Sequence, residues 1–317
     1  MGMTRVAAID CGTNSIRLLI ADLVDGRLRD VHREMRIVRL GQGVDATGRF
    51  VPAALDRTRA ALADYAALCT AHGVEQVRMV ATSAARDAAN RADFFAMTLD
   101  VLGVRAEVVT GTEEAELSFR GAVGELDQAA APFLVVDVGG GSTEIVLGTS
   151  SVDASFSADI GCVRVTERCL HSDPPTPAEV ATGRDLVREQ LGEALRAVPV
   201  ERACTWVGVA GTMTTLAALA QDMTTYDSAA VHLSRVGIQR LLQVCDGLIG
   251  MTRAQRAALG PMHPGRADVI GGGAIVVEEL ALALRERAHI DELTVSEHDI
   301  LDGIALSIAT PDHTSNR

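Results

Sequence analysis

Two stretches of this chain set a carboxylate, a glycine turn and hydroxyl groups in the same order. The first is Asp10-Cys11-Gly12-Thr13-Asn14-Ser15; the second is Asp137-Val138-Gly139-Gly140-Gly141-Ser142-Thr143-Glu144. Each follows a short apolar run (Val6–Ile9, Leu134–Val136) and leads straight into another (Ile16–Ile20, Ile145–Leu147). Each turn is therefore expected to join two strands of a hairpin, with the Asp at the strand end. Amide N–H groups in such turns converge into an anion-binding concavity. Thr13, Asn14 and Ser15, and Gly139, Gly140, Gly141, Ser142 and Thr143, are thus candidate phosphate binders. Glycines that merely permit tight hairpins would not explain an Asp at the strand end twice. The copies lie 127 positions apart, which suggests two like domains closing on one string of phosphates. Gly208-Val209-Ala210-Gly211-Thr212 offers a third turn and adds Gly211 and Thr212 to the phosphate-binding set.

Carboxylates beside phosphate turns suggest magnesium. Mg²⁺ keeps several waters and takes one or two carboxylates plus phosphate oxygens. Asp10 and Asp137 are the expected ligands, directly or through water. Glu144 follows the second turn and points back to the same place, a surface ion pair being its alternative.

A further acid lies in Thr110-Gly111-Thr112-Glu113-Glu114. If Thr110 caps a helix, Glu113 completes a capping box and Glu114 is left for other work. The helix dipole favours a first-turn carboxylate as the anion, which suits a group that orients or deprotonates water. Two solvated helix-start acids are the alternative. Arg86 and Asn90, placed four apart on a helix expected near 84–102, would be neighbours able to hold a phosphate together. An exposed helix-start Arg is the alternative there.

The elements that must position these groups repeat. Three strands are expected over 4–40, a helix over 53–72 stopped by Gly73, a strand at 77–81, a strand at 106–109 and a helix from about 112. The second half replays this order with strands at 134–138, 143–147 and 154–157, and a fourth short strand at 162–165. A helix starts at Thr176-Pro177-Ala178-Glu179, with cap, proline and capping-box acid. A strand at 203–209 then feeds a helix. Further helices are expected near 235–249, 253–259 and 266–287, a strand at 293–295, a helix at 299–309 and a frayed tail at 311–317. The boundaries that follow are 1–125 for the first domain, with a helix of about 299–311 packing back on it, and 126–298 for the second.

Composition narrows the chemistry. All 29 basic residues are arginine. A Gly-Lys-Ser/Thr phosphate loop, a Schiff base and a lysine general base are excluded. Arginine offers bidentate phosphate contacts instead; genome base composition is an alternative source of the bias. The net charge of −13 argues against a nucleic-acid coat. The charge is uneven, with 15 Arg against 17 acids up to residue 125 and 14 against 25 beyond, so the first half is the better dock for a polyanion, ordinary surface variation being the alternative. The six cysteines form no Cys-x-x-Cys pair and no zinc spacing with histidine. No apolar run reaches membrane-spanning length. The expectation is a cytoplasmic protein without a membrane or nucleic-acid partner.

These residues carry a resemblance. Asp10–Ser15, Thr82–Arg86 with Asn90, Gly111-Thr112-Glu113-Glu114-Ala115, Asp137–Glu144, Gly161–Arg164 and Ala210–Thr212 resemble the exopolyphosphatase / guanosine pentaphosphate phosphohydrolase family over nearly the whole chain. The resemblance implies an α/β fold of two actin-like ATPase / sugar-kinase (ribonuclease H-like) domains flanking a cleft. It implies Glu114 as the residue activating water, Asp137 and Glu144 near magnesium, and Arg86 and Asn90 on phosphate. Another divalent metal, or potassium, and a homodimer are further candidates. Longer members carry extra C-terminal helical domains, so processive handling of very long chains is not implied.

The expected activity is magnesium-dependent removal of terminal phosphate from inorganic polyphosphate. Hydrolysis of guanosine pentaphosphate is the close alternative, tempered by an aromatic content of 3% that leaves few rings for a base. A kinase of the same fold group is a more distant one, with Gly271-Gly272-Gly273 as a place for an adenosine pocket. A non-catalytic filament-forming scaffold is the remaining class.

Overall fold

Strand β1 (Thr4–Cys11) is apolar on both faces because both are covered. Val6 and Ala8 join one hydrophobic cluster, and Ala7, Ile9 and Cys11 the other. The computed structural model describes residues 3–308. The chain divides into two compact units, one formed by residues up to 121 together with those from 300 onward, the other by Ala122–Asp299.

In the first unit β1 pairs antiparallel with β2 (Ser15–Val24), which pairs antiparallel with β3 (Arg27–Ile37). After α1 (Val44–Thr47) and α2 (Pro52–Ala71) the chain returns as β4 (Gln76–Ala81), parallel to β1. Proline at the first helical position opens α2, and Gly73 at φ 65° ends it. Helices α3 (Ser83–Asp87) and α4 (Arg91–Leu102), strand β5 (Glu107–Val108) and helix α5 (Gly111–Ala122) follow. The sheet order is β3-β2-β1-β4-β5.

The second unit repeats the plan. β6 (Phe133–Val138), β7 (Thr143–Gly148) and β8 (Val152–Ala158) form an antiparallel run. Helices α6 (Cys162–Cys169) and α7 (Pro177–Ala197) lead to β9 (Thr205–Val209), parallel to β6. Then come α8 (Ala210–Ala220), α9 (Ser228–Val231), β10 (Arg235–Gly237), α10 (Ile238–Gly250), α11 (Arg253–Ala257), α12 (Ile270–Ala288) and β11 (Glu292–Val295). Read from β8 inward, the order β8-β7-β6-β9-β11 matches the first sheet, with β10 added at the edge. This is the ribonuclease H-like order shared by actin-like ATPases and sugar kinases.

The last helix, α13 (Ile300–Ile308), belongs to the first unit. Its Ile300, Leu301, Ile304 and Ala305 bury against Val6, Ala8, Leu19, Ala21 and Val80. Gly303 lets it approach α5, since a side chain there would lie 2.7 Å from the Leu117 carbonyl carbon. Buried Asp302 takes two hydrogen bonds from Arg33, at 2.5 and 3.2 Å.

Three sequence expectations are corrected. The helix expected over 84–102 is broken. Ala88 is extended (ψ 119°), and the Asn90 side chain accepts from the Phe50 N–H at 2.8 Å and donates to the Phe50 carbonyl at 3.2 Å. Arg86 and Asn90 therefore do not share a helical face. The fourth short strand at Cys162–Val165 is instead the start of α6, because the N–H groups of Val163 and Arg164 both donate to Gly140 O and begin a helix there. The Gly271–Gly273 run lies inside buried α12, where side chains would meet Arg256, Thr166 and Thr212, so these glycines serve close helix packing. The tail at 311–317 lies outside the described residues.

Candidate active site

The first turn closes through Gly12 N–H on Ser15 O at 3.0 Å. Two further carbonyls of the turn are tied, Thr13 O by Gly41 N–H and Asn14 O by Val38 and Arg39 N–H. Asp10 and Arg17 stand opposite each other in the β1–β2 register. Arg17 donates from Nη2 at 2.7 Å and Nε at 3.0 Å to one oxygen of the buried Asp10 carboxylate.

The second turn closes identically, Gly139 N–H on Ser142 O at 3.0 Å. The Gly139 and Gly140 carbonyls accept from Cys162, Val163 and Arg164 at the start of α6. Among the described residues none accepts from the amide N–H of Gly140 or Gly141, which leaves donors for an anion. Gly161 permits this bracing, as a side chain there would lie 2.5 Å from the Gly140 carbonyl. Opposite Asp137 in register stands Glu144, where the first turn has Arg17. Both acids are buried, and Ser157 donates to Glu144 at 2.7 Å. Two carboxylates in register repel unless a cation joins them, and an all-oxygen donor set suits a hard divalent ion. Thr143 is corrected as a side-chain phosphate ligand: it is fully buried, and its hydroxyl is committed to Ile160 O at 2.7 Å.

Glu114 opens α5 in the first unit. Thr110 and Glu113 form the reciprocal pair expected of a capping box, Thr110 N–H to Glu113 at 2.8 Å and Glu113 N–H to Thr110 Oγ1 at 3.2 Å. Glu114 is only 7% exposed and accepts from Arg86 Nη1 at 2.5 Å. Burial pushes its carboxyl up from the ordinary value; the Arg86 charge and hydrogen bonds from Arg86 and Thr82 oppose this, and the Asp10 charge adds to it. A carboxylate biased toward taking a proton is suited to general-base work. Arg86 also donates to Val109 O at 3.2 Å, so this guanidinium spans the Glu114 carboxylate and the end of β5. Asn90 is held by Phe50 and fixes the loop before α4 rather than facing Arg86.

The third turn rises from β9 through Ala210, whose φ of 66° is left-handed, into α8. A side chain on Gly211 would lie 2.5 Å from Arg266 Cζ, so the missing side chain is what admits this guanidinium. Arg266 donates to Thr215 Oγ1 at 3.3 Å, and Thr215 in turn donates to Gly211 O at 2.6 Å. Thr212 is buried beside it. Arg17 and Arg266 were not singled out by motif, and Thr82 was quoted within its motif without a role of its own. Arg17 had a signal, since it follows its Asp at the spacing Glu144 follows Asp137. Arg266 had only the glycine that makes room for it.

Cys11 and Cys162, the cysteines next to the turns, are buried thiols and offer no nucleophile here. Burial pushes the Cys11 thiol far up, helped by the Asp10 charge, and raises Cys162 to about 11.

Buried acids, paired glycine turns and an Arg-paired carboxyl suit a phosphoryl-transfer protein on a duplicated ribonuclease H-like frame. The family is narrower: residues 19–308 match the Ppx/GppA phosphatase family, and the chain belongs to it. It is 75% identical over 318 residues to a Mycobacterium tuberculosis protein named Exopolyphosphatase 2, covering 98% of this chain and 100% of the relative. A crystal structure described as an exopolyphosphatase-like protein superposes with a TM-score of 0.95 at 44% identity, over 97% of this chain and 98% of that one. The Aquifex aeolicus member of the Ppx/GppA family follows at a TM-score of 0.77 and 30% identity, over 99% and 100%. No helix among the described residues is long and apolar enough to cross a membrane.

Proposed function

We propose that this chain is an exopolyphosphatase, releasing terminal orthophosphate from inorganic polyphosphate by direct attack of water. The observation that carries the reading is the buried Glu114, paired with Arg86 and disposed to take a proton. Glu114 orients a water and accepts its proton as the oxygen bonds to the terminal phosphorus. The bond from that phosphorus to the bridging oxygen breaks, and its electron pair leaves with the shortened chain. The transition state is loose, so positioning and electrostatics dominate the catalysis.

In the second unit the amides of Gly140 and Gly141 bind phosphate oxygens, and Gly211, Thr212 and Arg266 bind further ones; in the first unit the Thr13–Ser15 turn is the matching anion cradle. Arg86 neutralises the terminal group while holding Glu114. Asp137 and Glu144 fit a magnesium ion by donor type and register. When bound, that ion supplies charge neutralisation on phosphate oxygens. Asp10 is engaged by Arg17 and takes part through water.

Guanosine pentaphosphate is the second reading, and one observation favours it: Tyr226, 38% exposed, lies within electrostatic reach of Arg266 beside the third turn, a ring on which a base could stack. Defined-length polyphosphate and guanosine pentaphosphate assayed in parallel with magnesium test the proposal. Single phosphates released from polyphosphate, with the larger kcat/KM, are expected. Internal cleavage, or release from the nucleotide alone, overturns it.

A further inference from the structure

Glu125, His232 and His298 bring one ligand atom each within 4.8 Å of one another, all in the second unit. His232 Nε2 lies 2.8 Å from a Glu125 carboxylate oxygen. The two imidazoles pack together, ring centroids 4.8 Å apart and tilted by 32°. None of these residues belongs to the turns or the acid–arginine pair described above.

The backbone holding them is braced. Glu125 sits in a turn closed by Leu126 N–H on Val123 O. His232 is followed by Leu233, whose N–H donates to Val295 O at 2.7 Å, while Val295 N–H returns to Ser234 O. His298 donates its N–H to Ser296 Oγ, and that hydroxyl reaches the His298 carbonyl, both at 3.0 Å. Ligands on fixed backbone need little reorganisation to close on an ion.

We propose that Glu125, His232 and His298 form a second metal site, selective for a borderline transition ion such as Zn²⁺. Imidazole nitrogen with one carboxylate is a zinc, nickel or cobalt donor set, whereas magnesium seeks oxygen alone. Three protein ligands leave a position for water, and Glu125, whose side chain is 58% exposed, keeps the site open to solvent.

Binding has a cost that keeps affinity moderate. Glu297 N–H donates to His232 Nδ1 at 3.2 Å, which leaves the ring proton on Nε2, facing Glu125. Ligation through Nε2 moves that proton to Nδ1 and displaces the Glu297 bond. The gain is a tie between the turn just after residue 121 and the segment just before residue 300, the two places where the chain passes from one unit to the other.

The test uses the full chain, stripped with EDTA and dialysed against Zn²⁺ in excess Mg²⁺. One zinc per chain is expected, with a Kd on the order of micromolar. Co²⁺ should give the visible absorption of a low-symmetry site with nitrogen ligands. His298→Asn should weaken zinc by at least about tenfold and remove the cobalt band. Glu125→Gln, at an exposed position, guards against misfolding and should also weaken binding. Zn²⁺ should raise the melting temperature of the parent protein but not of His298→Asn. Equal zinc affinity in all three proteins, or no stoichiometric binding at about 100 µM, overturns the site.

Discussion

Replacing Glu114 with Gln separates catalysis from stability. A positioned general base contributes about 10²–10⁴-fold in rate, or about 3–5 kcal/mol of barrier. Glutamine keeps the volume and can still accept from Arg86, so substrate binding should change little. Stability should move the other way. The folded protein raises the Glu114 pKa because burial outweighs the Arg86 charge. A carboxyl raised on folding contributes stability that is fully present below the unfolded pKa and lost as pH rises through the folded one. At neutral pH the charge is therefore a burden, and Glu114→Gln should be neutral or stabilising by up to about 1 kcal/mol. Initial-rate orthophosphate release and urea unfolding at pH 7 and pH 5 measure both, with the stability gain smaller at pH 5. A turnover within fivefold of the parent would remove Glu114 from the chemistry. A stability loss above about 2 kcal/mol would show that the Arg86 ion pair outweighs burial.

Arg86 holds the Glu114 pKa down against burial, so Arg86→Gln should shift the acid limb of the kcat–pH profile upward in pH, and an unmoved limb would deny the coupling. Asp302→Ala should cost about 2–3 kcal/mol in urea unfolding, below the full buried-pair range because Arg33 is 31% exposed and keeps Asp30; a loss under about 1 kcal/mol would show that α13 is held by its apolar face alone. Ala210→Gly relieves a left-handed φ of 66° and should leave the unfolding midpoint unchanged or raised, whereas Ala217→Gly within the same helix should cost about 1 kcal/mol or more. Glu144→Gln should raise the magnesium concentration for half-maximal activity by at least about tenfold, and an unchanged requirement would move the metal away from β7.

The repeat was legible because it rests on local chemistry. Asp, glycine turn and apolar strand recur at a fixed offset, and each is read from a few neighbouring residues. The capping boxes at Thr110 and Thr176 were legible for the same reason. What escaped the sequence depends on partners far along the chain. The break before α4 is set by Phe50, 40 residues earlier, and Asn90 reads as helical without it. Cys-Val-Arg-Val suits strand or helix, and only the Gly140 carbonyl decides between them. Thr143 looks like a turn hydroxyl until β8 and the chain after it cover its side chain. Arg266 reaches Gly211 from 55 positions away, with no periodicity to announce it.

The return of α13 to the first sheet constrains the order in which this protein can form. Ala122–Asp299 is continuous and can complete its interior while synthesis proceeds. The first sheet cannot, because one apolar side of β1 and β2 waits for Ile300, Leu301 and Ile304. Until those residues leave the ribosome, the first sheet stays unfinished and open to wrong partners, and its maturation is coupled to a segment translated only after the whole second unit.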